Sequence, residues 1–141
     1  MEMEREGVYE PETVAEARTA YDEAGPAAQV VVKETTKAMG FENSEYDERV
    51  TGDVIETARD ALFASLLVVY HGPRQAFEAW CEDHQYSVDL AGSDDVEAVA
   101  WHPVAIDETA VAASYQDEPE AAAATVRRRA FGRFYREQFE S

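Results

Sequence analysis

The sequence predicts an α+β fold: a mainly helical single domain with a three-stranded antiparallel meander and a C-terminal helix packed on it. Three observations carry that reading. Apolar residues recur at three- and four-residue spacing between Val14 and His84. The period then drops to two, with Tyr86, Val88 and Leu90 alternating with Ser87 and Asp89. Helical spacing returns after Asp117.

Each element has a local reason. Residues 1–8 are acidic without an apolar period and are expected as a flexible tail, leaving 9–141 as one domain. Pro11 opens a helix carried by Val14, Ala17, Ala20 and Tyr21 up to Gly25. Gly25-Pro26 is expected to stop it and start a second helix, which runs to Met39 and ends at Gly40. Ser44 to Val50 reads as a short helix capped by Asn43 or Ser44. Asp53 with Glu56 forms a capping-box pattern ahead of a helix to about Tyr70, striped by Ile55, Ala58, Leu62, Leu66 and Val69. His71-Gly72-Pro73 is expected to break that helix, and Pro73 to open another ending near His84. Strands follow at Tyr86–Leu90, Val96–Val104 and Thr109–Gln116, with Pro103 marking a strand end or an edge. The last helix runs from Asp117, its expected cap, to about Gln138, with Ala122, Val126, Ala130 and Phe134 turned inward.

Composition describes the solvent more than the ligand. The 141 residues hold 30 acids against 12 basic residues, a formal net charge of -18. Lys33 and Lys37 are the only lysines; the other cations are arginines. Leucine and isoleucine are scarce, and valine and alanine replace them. A compact body with this charge repels itself in dilute buffer, whereas at 1 M salt the Debye length falls to about 3 Å. High salt also strengthens apolar burial, so small side chains suffice for a core. The pattern fits a protein of a salt-rich cytoplasm. An acidic surface for a basic partner is the alternative, but the acids are spread from Glu2 to Glu140 rather than gathered in a block. The start, MEMEREG, is not a signal peptide, and no apolar run suits a membrane span. The single cysteine, Cys81, excludes an internal disulfide framework.

Four stretches together carry a resemblance: GPAAQVVVKETTKAMGF (25–41), EYDERVTGDVIETARDALFASLLV (45–68), FEAWC (77–81) and RRRAFGRFYR (127–136). They resemble a family of small, uncharacterised proteins of halophilic archaea, a domain of unknown function. The resemblance implies a cytoplasmic haloarchaeal source, and it implies no activity, cofactor or catalytic residue.

Candidate chemistry is sparse. Cys81 and His84 share a helical face, and with His102 or His71 they are the candidates for a metal site or an activated nucleophile. The plainer reading is a buried thiol beside Phe77 and Trp80, and a histidine at a helix C-terminus. P-loop, dinucleotide-glycine and G-x-S-x-G patterns are absent, so no cofactor is expected. Glu42, Glu45, Asp47 and Glu48 would suit a hard cation, or are simply a solvated acidic face. In the last helix Arg129, Arg133 and Arg136 fall at i, i+4 and i+7, with Tyr135 beside them. They are the candidate contact surface for a protein partner or a second copy of the chain. Arginines pairing with acids on neighbouring elements is the competing reading. Residues 26–70 have the rhythm of a helix-turn-helix, but Glu45, Asp47 and Glu48 would oppose phosphates. The expectation is therefore a cytoplasmic, non-enzymatic macromolecular interaction module. A nucleic-acid-binding regulator at 26–70 and a metal or thiol enzyme at Cys81/His84 are the alternatives.

Overall fold

A computed structural model describes residues 3–38, 52–92 and 96–139, with the side chains of 35–38, 52 and 53 excepted. In chain order the elements are β1 (Glu4–Glu6), α1 (Val14–Ala38), α2 (Gly52–Ser65), β2 (Val69–Pro73), α3 (Arg74–His84), β3 (Ser87–Ala91), β4 (Ala98–Val104), β5 (Thr109–Tyr115) and α4 (Pro119–Ala130). The chain continues from α4 through one π-helical turn, Phe131–Tyr135, into α5 (Arg136–Phe139). The α+β expectation holds. The sheet, however, has five strands in the order β1-β2-β4-β5-β3.

The meander is corrected by the pairing. β4 and β5 form the expected antiparallel hairpin, but β3 pairs with β5 in parallel, from Ser87 opposite Thr109 to Ala91 opposite Ala113. The cause is the β2-α3-β3 crossover, which carries the chain over one face of the sheet and sets β3 down on the far side of β5. Two further strands lie where none was expected. Residues 4–6, assigned to the tail, pair antiparallel with β2, Glu4 opposite His71 and Glu6 opposite Val69. The Asp53 helix stops at Ser65, and Val69–Pro73 is a strand although it holds His71, Gly72 and Pro73. Helical and strand patterns cannot be told apart in the continuous apolar run from Leu66 to Val69. Burial on both sides of the sheet decides it: Val69 and His71 are covered on one face, and Tyr70 stacks on Trp101 on the other.

Gly25-Pro26 does not break the first helix; α1 runs for 25 residues with Pro26 inside it. The proline ring is exposed there, while Ala24, Gly25 and Ala28 beside it are buried. Ser44–Val50 and the acid group at 42–48 lie outside the described residues. At the last helix the cap is Glu118 rather than Asp117, and no side chain caps the first turn. Pro103 is locally an edge residue, as expected: β2 pairs with β4 only as far as Trp101.

The sheet separates two cores. On one face α1, α2 and α4 pack over Val69, Ala100, Val104, Val111 and Ala113. Phe63 of α2 is the hub of this side, with ring contacts to Tyr9, Tyr21, Phe131, Tyr135 and Phe139 at 5.1–6.0 Å. Burying each side chain of this size contributes about 2 kcal/mol. On the opposite face α3 lays Phe77, Trp80 and Cys81 over Val99, Trp101, Ala110 and Ala112. Alanine and valine dominate both cores, as the composition implied. Small residues let the helices sit close to the sheet, and the few large rings fill what remains.

Candidate functional site

The arginine stripe is tied into the protein. Arg129 Nη2 lies 2.6 Å from Asp89 Oδ1, and Arg133 Nη1 lies 2.7 Å from Asp89 Oδ2. Burial acts to raise the Asp89 carboxyl, but the hydrogen bonds and charges of Arg129 and Arg133 outweigh it and hold the group below its usual value. Arg136 lies over the Phe131 ring at 5.3 Å. Arg127 donates from Nε to the Leu67 carbonyl at 2.9 Å. Tyr135 is fully buried rather than beside the arginines on the surface. The five-residue π turn is the reason: its i to i+5 repeat brings Ala130 and Tyr135, five apart, to the same buried side.

The histidine–cysteine group is split by the sheet. His102 is fully buried on the α4 side, where Nδ1–H donates to the Val68 carbonyl at 2.6 Å. Its Nε2 accepts from the Tyr135 hydroxyl at 2.7 Å. Desolvation pushes its pKa down to about 4, against the Val68 hydrogen bond and helped by the charge of Arg127. Both nitrogens are satisfied by the neutral ring, so His102 ties the π turn to β4 and to the residue just before β2. Cys81 packs on the opposite face, and burial, then the charge of Glu78, pushes its thiol up to about 11. A thiol raised in this way is little ionised at neutral pH. His71 is buried on the same face as His102, with Nε2 3.5 Å from Glu6 and no hydrogen bond to either ring nitrogen. Among the described residues no three His, Cys, Asp or Glu side chains are grouped to hold a metal ion.

His84 opens onto a cavity. The cavity, about 380 Å³, lies on the α3 side at one end of the sheet. Four segments separated in sequence build it. Tyr70 of β2, with Trp80 and His84 of α3 and Tyr86 after it, supply aromatic walls; Pro103 and Ala105 form the floor; Glu10, Glu12 and Glu108 supply carboxylates. Each wall is held in place. The Tyr70 hydroxyl meets both oxygens of Glu10, at 2.8 and 2.9 Å, and Arg5 stands 3.6 Å from the same carboxylate. His84 stacks on Trp80 with ring centres 4.0 Å apart, and its Nδ1–H donates to the Trp80 carbonyl at 2.8 Å. Tyr86 meets Trp80 edge-on at 5.2 Å. Trp101, buried behind Tyr70 and Trp80, backs the site. The left-handed backbone at Gln85 ends α3 and turns Tyr86 back toward it.

The field in this cavity is negative. Among the described residues no arginine or lysine lines it. Burial raises the Tyr86 hydroxyl, and the charges of Glu108, Glu12 and Glu10 raise it further. A larger cavity, about 540 Å³, lies beyond the ends of β3 and β5, but small residues such as Ala91, Gly92, Ala121 and Ala122 line most of it. It has no comparable convergence of rings and charge. Sequence reasoning singled out His84 for other chemistry and missed Tyr70, Tyr86, Glu10, Glu12 and Glu108. Their only signal was an aromatic or acidic residue in each of four separated segments.

No helix among the described residues is long and apolar enough to cross a membrane. No curated protein and no solved structure is significantly similar to the chain. One family does match, over residues 8–136, a span that takes in both cores and all but the first strand. The chain therefore belongs to the family described as Family of unknown function (DUF5809).

Proposed function

We propose that this protein is a salt-adapted, cytoplasmic, non-enzymatic interaction module that holds a positively charged group in the Tyr70–Trp80–Tyr86 cavity. The observation that carries the reading is the meeting of three carboxylates on one aromatic-lined cavity, with no arginine or lysine among the described residues of its wall. Ring faces attract cations through their quadrupole, by about 0.5–2 kcal/mol depending on how dry the site is. Carboxylates add a field that persists when salt screens longer distances. The cavity size lies within the range of sites for small ligands or a single side chain. With Arg129 and Arg133 already paired to Asp89, this cavity replaces the arginine stripe as the contact point.

The test is an NMR titration of the Trp80 indole resonance with small monovalent organic cations, in buffers matched in ionic strength with KCl. A saturable shift in the native protein, weakened when Glu12 and Glu108 are changed together to glutamine, is the expected result. Both carboxylates are at the surface, so the double variant keeps the fold. An indole that moves no more with organic cations than with KCl would overturn the reading.

A further inference from the structure

Resting on that reading, we infer that the captured group is a guanidinium, bound through its N–H donors, rather than a quaternary ammonium. The first ground is the supply of acceptors. Among the described residues no hydrogen bond or ion pair engages the carboxylates of Glu12 and Glu108, and both line the cavity. Glu10 is already occupied by the Tyr70 hydroxyl and by Arg5, so it contributes field rather than free oxygens. His84 gives its Nδ1–H to the Trp80 carbonyl, which leaves Nε2 without a partner among the described residues. A ligand covered in methyl groups would bury these acceptors without pairing them, and unpaired buried acceptors are costly. A guanidinium brings a planar fork of N–H donors that suits two carboxylates at once.

The second ground is the arrangement of the rings. A quaternary ammonium needs several ring faces turned toward it. Here His84 covers one face of Trp80, Tyr86 stands edge-on to Trp80, and Tyr70 stacks against Trp101. The rings pack on each other more than they surround a space. A flat cation needs only one free ring face and acceptors in its own plane.

The carboxylates also limit what can carry the group. Free arginine brings a carboxylate of its own, which Glu10, Glu12 and Glu108 would repel. The carrier is therefore a side chain within a peptide, or a small guanidine without an acid. The experiment compares ethylguanidinium, ethylammonium and tetramethylammonium, equal in charge, by the Trp80 indole shift of the native protein. Ethylguanidinium is expected to bind about tenfold or more tighter than tetramethylammonium, as one or two charge-assisted hydrogen bonds imply. The Glu12→Gln, Glu108→Gln double variant should remove most of that advantage while leaving tetramethylammonium little changed. Equal or tighter binding of tetramethylammonium would overturn the guanidinium assignment and leave the cation cavity standing. Failure of all three cations would overturn the cavity reading itself. An arginine blocked at both ends is expected to bind at least as well as ethylguanidinium. Its exclusion would refute a side-chain source and retain a free guanidine.

Discussion

Acidification should unfold this protein through one imidazole. His102 is sealed between β4 and the π turn, with Nδ1–H on the Val68 carbonyl and Nε2 on the Tyr135 hydroxyl. Burial lowers its pKa from 6.5 to about 4. As pH falls below 6.5 the unfolded chain takes up the proton first, while the folded protein resists until about 4. The unfolded state then binds more protons, so stability declines as pH drops across that window. The contribution is fully present above pH 6.5 and fully lost below about 4. A gap of about 2.5 pH units corresponds to about 3 kcal/mol, a large share of the 5–15 kcal/mol typical of a domain. The assay is urea unfolding at constant molar KCl from pH 7.5 down to 4, on wild type and His102→Gln. Wild type should lose about 3 kcal/mol more than the variant over the window. If His102→Gln does not fold, the imidazole nitrogens of the native protein can be followed by NMR through the same range. Identical pH dependence of the two proteins, or a folded imidazole that titrates near 6.5, would refute the reasoning.

Three other outcomes follow from packing and charge. Gly7 has φ near +108°, and a Cβ there would sit 2.6 Å from the Leu67 carbonyl oxygen; Gly7→Ala should lower stability by about 1–3 kcal/mol in thermal melts. Asp89→Asn removes the charge that Arg129 and Arg133 share and should cost about 1–2 kcal/mol in dilute salt. Because the Asp89 pKa is lowered by folding, that difference is present above its unfolded value near 4, shrinks as pH falls below it, and fades in molar KCl. Cys81, pushed up to about 11 from 9.0, should react with iodoacetamide at neutral pH on the order of a hundredfold more slowly in the folded protein than after unfolding in urea.

Most of the helices were legible because their evidence is local. Pro73 opening α3, the Ala122–Val126–Ala130 stripe and the alternation at Val88 and Leu90 each specify an element without reference to the rest of the chain. The errors arose where a distant partner decides. Leu66 to Val69 suits a helix or a buried strand equally, and β1 and β4 on either side of β2 decide that a strand begins at Val69. β3 alternates as an antiparallel strand would, yet its partner is set by the α3 crossover rather than by its own residues. Gly25-Pro26 carries a strong local stop signal, overridden by the packing of α1 along α2. The π turn left no mark in the residue spacing, so Tyr135 was placed on the wrong side of its helix. The cavity was hidden for a related reason. Glu10, Tyr70, Trp80 and Glu108 are strangers in sequence, and none belongs to a motif.

The strand at Glu4–Glu6 sits at the rim of the sheet with all its side chains in solvent, and its partners arrive some 65 residues later in the chain. The segment that leads out of it also delivers Glu10 and Glu12, so two thirds of the negative wall follows a short ribbon zipped onto one neighbour. Between the ribbon and those two carboxylates stand the backbone bonds of Val8 and Tyr9 to Leu66 and Val68 and the Tyr9 ring on Phe63, so the wall keeps an anchor in the core when the ribbon opens. Hydrogen exchange should therefore find the amides of Glu4–Glu6 among the first to open, ahead of those of Val8 and Tyr9, which are bonded to Leu66.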